Sequence, residues 1–370
     1  MSRQAKTVLH LLSNRWNSAI TEYALSAARA LEMQGWKTIF SPLAGSPAEI
    51  RARKMNLFVR PLNDFTLLRV SDFNALLKET NPDLIITYGG PENSLAWMAR
   101  VRSRKIHVVR FRGCDFPVRN SSIGNFLAKK RHSMAHKHCD LILTPSRKIS
   151  TILQPISPCP VETAILGIDS EKFYRQDDDA PRTKDILILG RFDPVKGHRE
   201  FFKFFAEFLK NWDVSEWRPR LRVIGEPKNI SISQMHQFAT ECGLRPGLDI
   251  ELTTDHLDNI GSVMNGALAG IIPSIGSEII CRVAEEFLLC GTPIAVSGAG
   301  SLSEVLCDPD FGFTWEKLLE DSTGVRMARF LKVAASETTA KRDQRAKRAH
   351  QVFSYEAMGT RLQTILGSIP

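Results

Sequence analysis

The chain has 370 residues, of which 43% are hydrophobic and 24% are charged. This length suggests two domains, and this composition excludes a largely disordered chain. The longest uncharged stretch, residues 259–277, contains four glycines and a proline, so it reads as a helix, a strand and a loop. It does not qualify as a membrane span.

The net charge of +9 is distributed unevenly along the chain. Residues 1–173 contain 25 lysines and arginines against 13 aspartates and glutamates, whereas residues 174–370 contain 24 against 27. The first part therefore suits an anionic partner: a phosphorylated acceptor, an acidic membrane surface or a nucleic acid. A solvated basic face without a partner explains the same numbers.

Short apolar runs alternate with longer amphipathic segments. The first part of the chain has a predicted helix at 18–34 and predicted strands at 7–12, 84–87, 106–111, 141–144 and 161–165. A polar stretch at 169–184 then favours a linker. Beyond it, helices are predicted at 197–210, 231–242, 282–290 and after 322, and strands at 185–189, 221–224, 249–252, 268–272 and 293–296. This alternation predicts an α/β protein with two doubly wound domains, 1–173 and 174–353, and a ligand cleft between them.

The most informative segment follows the strand predicted at 185–189 and precedes a helix. It contains Gly190, Arg191, Lys196 and Gly197. A glycine turn, two cations and a helix N-terminus suit a diphosphate, because Arg offers a planar donor fork and Lys a mobile charge. Two surface cations beside an ordinary turn are the alternative interpretation.

A second segment runs from Pro273 through Ser277 and Glu278 to Glu286. We place Glu278 in a loop or first turn and Glu286 further inside the helix. Carboxylates are tolerated beside a diphosphate when they bind hydroxyl groups, so ribose and sugar hydroxyls are the expected partners.

Together these motifs resemble the retaining glycosyltransferases of the GT-B fold, family 4. The resemblance rests on G-R-x-x-x-x-K-G after a strand, followed by P-S-x-x-x-E-x7-E and G-x-P. It implies that two Rossmann-like domains transfer a sugar from a nucleotide-sugar donor to a glycan or glycolipid. Lipopolysaccharide or other cell-envelope glycan synthesis is the expected setting. It also implies that the helix at 354–370 returns to the first domain, and that neither a divalent metal nor a cofactor is needed.

The resemblance assigns roles residue by residue. Arg191 and Lys196 would hold the diphosphate, with Gly190 and Ser277 beside it, and Gly225 would approach the nucleotide. Glu286 would bind the ribose, and Glu278 would contact the sugar near its anomeric carbon. The chain departs from many relatives after Glu278, where residues 279–282 replace a Gly-Phe-Gly segment.

The first domain offers fewer acceptor-side candidates. Trp16 and Asn17 occupy the place of the acceptor-side loop in this family. Asp115 follows the strand predicted at 106–111 and is a candidate catalytic residue that orients the acceptor. A helix-capping or ion-paired aspartate is the alternative interpretation.

A basic, partly apolar segment lies at 123–138. It could rest on an anionic membrane or pack against its own sheet. Its histidines and Cys139 could suggest a metal site. Neighbouring lysines and arginines would repel a cation, so a basic helix face is the favoured interpretation.

Two other function classes were weighed. A nucleotide-dependent oxidoreductase or epimerase needs a G-x-G-x-x-G turn after the first strand, yet residues 13–17 contain no glycine. A basic nucleic-acid-binding protein needs a recognition module or stacking platform, which the sequence does not display. Seven cysteines without a C-x-x-C pair, and an apolar stretch at 7–12 too short for a signal peptide, predict a cytoplasmic location.

Overall fold

The computed structural model describes residues 6–103, 105–114, 122–176, 182–213, 217–255, 257, 259–276, 278–318 and 320–369. The chain divides into two compact units, one formed by Met1–Gly167 with Val352–Pro370 and the other by Ile168–Gln351. The first division falls slightly before position 173, where the sequence suggested a boundary. Asp115 and Ser277, two of the predicted site residues, lie outside the described residues.

The first unit is built on a parallel sheet with the strand order β2-β1-β3-β4-β5-β6 in its described part. The strands are β1 (Thr7–Leu12), β2 (Lys37–Pro42), β3 (Leu84–Thr87), β4 (His107–Phe111), β5 (Leu141–Thr144) and β6 (Val161–Thr163). The helices between them are α1 (Ala19–Met33), α2 (Pro47–Lys54), α3 (Val70–Thr80), α4 (Gly90–Arg102), α5 (Ser122–His136) and α6 (Arg147–Leu153). The central strands β1 and β3 are buried along their whole length, as expected for a sheet covered on both faces.

The second unit repeats this architecture, and its described strands have the order β12-β11-β10-β7-β8-β9. They are β7 (Asp185–Leu189), β8 (Arg220–Ile224), β9 (Ile250–Thr253), β10 (Ala269–Ile272), β11 (Ile294–Ser297) and β12 (Gly312–Trp315). The helices are α7 (His198–Lys210), α8 (Ile232–Glu241), α9 (Ile260–Gly266), α10 (Arg282–Leu289), α11 (Asp321–Ala335) and α12 (Thr339–Phe353). Both units therefore have the doubly wound, Rossmann-like fold that the alternation predicted.

The last helix, α13 (Tyr355–Gly367), belongs to the first unit and packs along α1. Gly359 lies so close to α1 that an added Cβ would collide with the carbonyl oxygen of Ala30. The backbone N–H of Gly167 donates to Sδ of Met358 over 3.1 Å. Residues on both sides of the second unit in the sequence thus complete the first unit.

The strand order fixes where ligands can bind in each sheet. In the second unit the chain runs outward from β7 through β8 to β9 and then resumes on the other side of β7 with β10. The loops after β7 and β10 therefore lie at the point where the strand order reverses, and doubly wound sheets bind their ligands at the carboxyl edge there. The segments containing Arg191 and Glu278 follow these two strands.

No helix in the part of the chain that the structure describes combines the length and the apolar character needed to cross a bilayer.

Candidate active site

The loop after β7 is held in one conformation by its own side chains. Asp193 caps a short 3-10 turn, Pro194–Lys196, by accepting a hydrogen bond from the backbone N–H of Val195 over 3.1 Å. The other carboxylate oxygen of Asp193 accepts from Nδ2 of Asn229 over 2.7 Å. The turn therefore presents Lys196 from a rigid support rather than from a free loop.

Gly197 joins this turn to α7 and requires the absence of a side chain. Its φ of +69° lies in the left-handed region, and an added Cβ would collide with the carbonyl oxygen of Pro273. The backbone N–H of Ile275 donates to the carbonyl of Val195 over 2.9 Å. The loops after β7 and β10 are thus in direct contact.

Helix α7 is anchored to the sheet by a series of phenylalanines. Phe201, Phe202 and Phe205 are fully buried in the core of the second unit. Burying one such side chain contributes about 1.5–3 kcal/mol. The N-terminus of α7, where the candidate phosphate-binding residues lie, is fixed by this packing.

His198, the first residue of α7, orients the backbone of Arg191. Its Nε2 lies 3.2 Å from the carbonyl oxygen of Arg191, and this partner requires Nε2 to be the donor. Burial lowers the pKa of His198, so the ring is neutral at pH 7. Sequence reasoning assigned this histidine no role, although its position directly after Lys196 and Gly197 could have indicated one.

Lys196 and Glu278 form an ion pair in the second unit. The Glu278 side chain is 4% exposed and that of Lys196 is 25% exposed, so the pair is largely shielded from water. The hydroxyl of Ser274 donates to the same carboxylate oxygen over 2.6 Å, and the backbone N–H of Ser301 donates to the carbonyl of Glu278. Ser274, the serine of the P-S-x-x-x-E motif, to which sequence reasoning assigned no role, helps to orient Glu278.

These residues line one cavity of about 200 Å³ between the ends of β7 and β10. Arg191 lies on its exposed side, and its side chain forms no ion pair with the described residues. The cavity is also lined by Gly190, Lys196, Ser274, Glu278 and Cys281. Burial raises the pKa of the Cys281 thiol, which is therefore uncharged. The arrangement offers a guanidinium, an ammonium group and a carboxylate to a ligand that carries both phosphates and hydroxyls.

Three of the predicted donor residues are not among the described residues that line this cavity. Glu286 lies within α10, where Nη2 of Arg282 donates to its Oε1 over 2.7 Å. Gly225 follows β8 and packs against Gly190 so closely that an added Cβ would collide with its carbonyl oxygen. Ser277 is not described.

In the first unit, Trp16 and Asn17 lie in the loop between β1 and α1, and both are exposed. The carbonyl of Trp16 accepts from the hydroxyl of Thr21, which fixes the backbone of this loop. Among the residues that the structure describes, no group of three histidine, cysteine or acidic side chains could hold a metal ion.

Family comparisons follow the same division of the chain. The family described as "Glycosyl transferases group 1" matches residues 169–349, and the family described as "Glycosyltransferase Family 4" matches residues 20–172. The chain is a GT-B glycosyltransferase of the family 4 type.

Solved structures share the fold of this glycosyltransferase at low sequence identity. HepE from Anabaena, crystallised with UDP, has a TM-score of 0.75 at 15% identity, and the match covers 98% of this chain and 100% of HepE. A glycosyltransferase from Rickettsia africae has a TM-score of 0.76 at 15% identity, covering 99% of each chain. The lipopolysaccharide outer core galactosyltransferase WaaB has a TM-score of 0.70 at 14% identity, covering 98% of this chain and 99% of WaaB. The sequence search of the curated proteins gave no match to this glycosyltransferase.

Proposed function

We propose that this glycosyltransferase transfers a sugar from a nucleoside-diphosphate donor to a glycan or glycolipid, with retention of anomeric configuration. The observation that carries the proposal is the single cavity lined by Arg191, Lys196 and Glu278 at the switch point of the second sheet. HepE was crystallised with UDP, so UDP-sugars are the first donors to test.

In this proposal the two cations stabilise the leaving group. Negative charge grows on the diphosphate as the bond to the anomeric carbon breaks, and Arg191 and Lys196 bind that charge more tightly in the transition state than in the ground state. Because rigid loops hold both residues, little reorganisation is needed during the reaction. The role requires neither a resident metal nor a cofactor.

Glu278 is proposed to contact the donor sugar near its anomeric carbon. Its carboxylate is 4% exposed and is oriented by Ser274. Negative charge at this position suits the oxocarbenium character of the departing sugar. Glu286, on the adjacent helix, is proposed to accept hydrogen bonds from the ribose.

Retention follows if the acceptor attacks from the side of the leaving group. The acceptor oxygen then bonds to the anomeric carbon on the face from which the diphosphate departs, and a diphosphate oxygen takes the hydroxyl proton. No strong side-chain base is required. Trp16, Asn17 and Asp115 remain the proposed acceptor-side residues.

We further propose that the acceptor is a cell-envelope glycan, because WaaB, which shares the fold, is a lipopolysaccharide outer core galactosyltransferase. An anionic membrane surface is the proposed partner of the basic first unit. Helix α5 supports this, because Phe126, Leu127 and Met134 are exposed beside Lys129 and Lys130.

The test is a panel of UDP-, GDP- and ADP-sugars assayed by thermal stabilisation and slow hydrolysis. At least one donor should raise the melting temperature, and Arg191→Ala and Lys196→Ala should each lower turnover by about 10²–10³. Lys203→Ala, an exposed cation on the same helix as His198, is the matched control and should behave as wild type. The proposal is wrong if no nucleotide sugar is bound or hydrolysed.

A further inference from the structure

The first unit contains a second and larger cavity, of about 1120 Å³. It lies between α4 and α5 and reaches Gly90 after β3 and Arg112 after β4, so it occupies the carboxyl edge of the sheet. Ligands of doubly wound sheets bind at this edge.

Two arginines, Arg110 on β4 and Arg112 directly after that strand, belong to the cationic part of the lining. Arg110 is 6% exposed, and its guanidinium donates through Nη1 to the carbonyl of Gly89 while its Nε has no hydrogen-bond partner. Arg112 forms no ion pair or side-chain hydrogen bond with any described residue, and its Nε is likewise buried without a partner. Buried donors without partners are uncommon in native proteins, and an anionic ligand in the cavity would supply partners to both guanidinium groups.

No aspartate or glutamate is among the described residues that line this cavity. The nearest carboxylate influence comes from Glu92, which raises the pKa of Arg110, although burial lowers it more, to about 10. Glu92 itself accepts the backbone N–H of Ser13 over 2.6 Å. Glu92 therefore compensates the positive charge of one arginine at most, and the charge of the other arginine remains uncompensated.

The histidines of α5 do not neutralise or add to that charge. Burial, together with the charges of Arg112 and Arg110, lowers the pKa of His132 to about 4. Burial also lowers the pKa of His136 to about 4, and its Nδ1 donates to the carbonyl of His132 over 2.6 Å. Both rings are neutral at pH 7, so the field in the cavity is that of Arg110 and Arg112, of Arg131 on α5 and of Lys137 directly after that helix.

The cavity also has an apolar part. Leu67, Trp97 and Met134 line it and remain 54%, 49% and 63% exposed. Three large apolar side chains around one opening are more than scattered surface hydrophobics, and they suit a ligand with an apolar portion.

We propose that this cavity binds the acceptor and that the acceptor carries a phosphate group beside an apolar portion, as in a phosphorylated lipid or glycolipid. Arg110 and Arg112 bind the phosphate through charge-assisted hydrogen bonds, and the three apolar side chains contact the hydrocarbon. The role of this ligand as the acceptor rests on the proposed function, whereas the binding site itself is argued from the first unit alone.

The test is direct binding of dodecyl phosphate, inorganic phosphate and dodecyl maltoside to the full chain by calorimetry. Dodecyl phosphate should bind most tightly, inorganic phosphate should compete with it more weakly, and the neutral maltoside should not compete. Arg112→Gln should weaken dodecyl phosphate binding by roughly ten- to hundredfold. Arg53→Gln, which changes an exposed arginine of α2, is the matched control.

Arg110 is buried, so Arg110→Gln can fail to fold; Arg112→Gln carries the test because its guanidinium supports no other residue. Equal binding of dodecyl phosphate to wild type and Arg112→Gln overturns the proposal. Equal affinity for inorganic and dodecyl phosphate overturns the apolar part of it.

Nucleotide-sugar hydrolysis without acceptor is measured on the same samples. If hydrolysis is normal and dodecyl phosphate does not bind, this inference is wrong and the proposed function stands. If no donor is bound while Arg112→Gln abolishes phosphate binding, the site is supported and the proposed function fails.

Discussion

The two cavities differ in how their charges are compensated. In the second unit, Lys196 is already paired with Glu278, and backbone contacts such as that between Gly197 and Pro273 close the loops around it. In the first unit, Arg112 has no described partner and the cavity is more than five times as large. In the small site one of the two cations is paired before the ligand arrives and Arg191 is left for it, whereas in the wide site no carboxylate of the described lining pairs with the arginines. A small, rigid pocket suits an invariant group such as a diphosphate, and a wide one suits a bulky acceptor.

The largest expected difference between the units is in how much stability each loses when the pH is lowered. The described histidines with lowered pKa values in the first unit are His10, His132, His136 and His138, and in the second unit only His198 is of this kind. Burial is the main cause in each case. Near pH 6.5 the histidines of the unfolded chain take up protons, whereas the buried rings of the folded chain do not. Their contribution to the free energy of unfolding is therefore fully present above pH 6.5 and is lost as the pH falls toward 4.

Peptide-resolved hydrogen exchange at pH 7.5 and pH 5 checks this prediction. Protection should fall more in the first unit than in the second. Asp249 in the second unit does not alter the expectation: burial acts to raise its pKa, but hydrogen bonds from Arg245 and Arg218 hold it at about 2. Equal losses in both units would contradict the prediction.

The next largest effect is expected for Gly197→Ala in the second unit. The substitution combines a left-handed φ with a collision between Cβ and the carbonyl of Pro273, so the two loops must separate. We expect a loss of about 2–4 kcal/mol in the free energy of unfolding and loss of donor hydrolysis. Urea unfolding and the hydrolysis assay measure both.

Gly276→Ala is the matched control, since nothing lies within 4 Å of the added Cβ in the neighbouring loop. A Gly197→Ala variant with the stability of this control would show that the loops are not held together by close approach.

A smaller effect is expected for Glu278→Gln. The change keeps the shape of the side chain but removes the ion pair with Lys196, which is largely shielded from water. We expect a loss of about 1–3 kcal/mol in stability, measured by urea unfolding, and a fall in turnover. Glu241→Gln breaks an exposed pair with Arg199 and should change stability by less than about 1 kcal/mol. Similar losses of stability for the two variants would mean that burial does not strengthen the ion pair between Lys196 and Glu278.

The smallest effect is expected for Arg282→Ala. Its hydrogen bond to Glu286 is an i, i+4 pair on α10, and the arginine side chain is 37% exposed. Such pairs contribute about 0.3–0.5 kcal/mol. Stability should barely change, and the donor KM should shift by a few-fold at most because one partner of the proposed ribose ligand is gone. A large loss of stability would assign Arg282 a packing role instead.

Most of the fold was predictable, and the errors lie at the sheet edges. Sequence reasoning placed β1, β3, β5 and β7 at their observed bounds, because buried strands of a parallel sheet are largely apolar runs. It missed β2 and β12, which are edge strands, one ending in Pro42 and the other beginning with Gly312. Edge strands contact only one neighbour, so their sequences carry a weaker apolar signal.

The two sites were predictable to different extents for a similar reason. Arg191, Lys196 and Glu278 lie in compact motifs after two strands that meet at the switch point, so a one-dimensional pattern was enough to group them. The cavity of the first unit draws its lining from α4, β4 and α5, which are separated in sequence. Its one local signal is Arg110 on β4 and Arg112 directly after the strand, two cations separated only by Phe111.

The return of α13 to the first unit makes the second unit an insertion within the first. During synthesis, residues 168–351 can complete their own sheet before residue 355 has been added, whereas the earlier unit must wait for α13 to cover α1. The side of α1 at Ala30, which Gly359 of α13 contacts, stays uncovered until then, so the nascent first unit remains incomplete for longer than the second. Truncation before Tyr355 would consequently damage the part of the enzyme that was translated first.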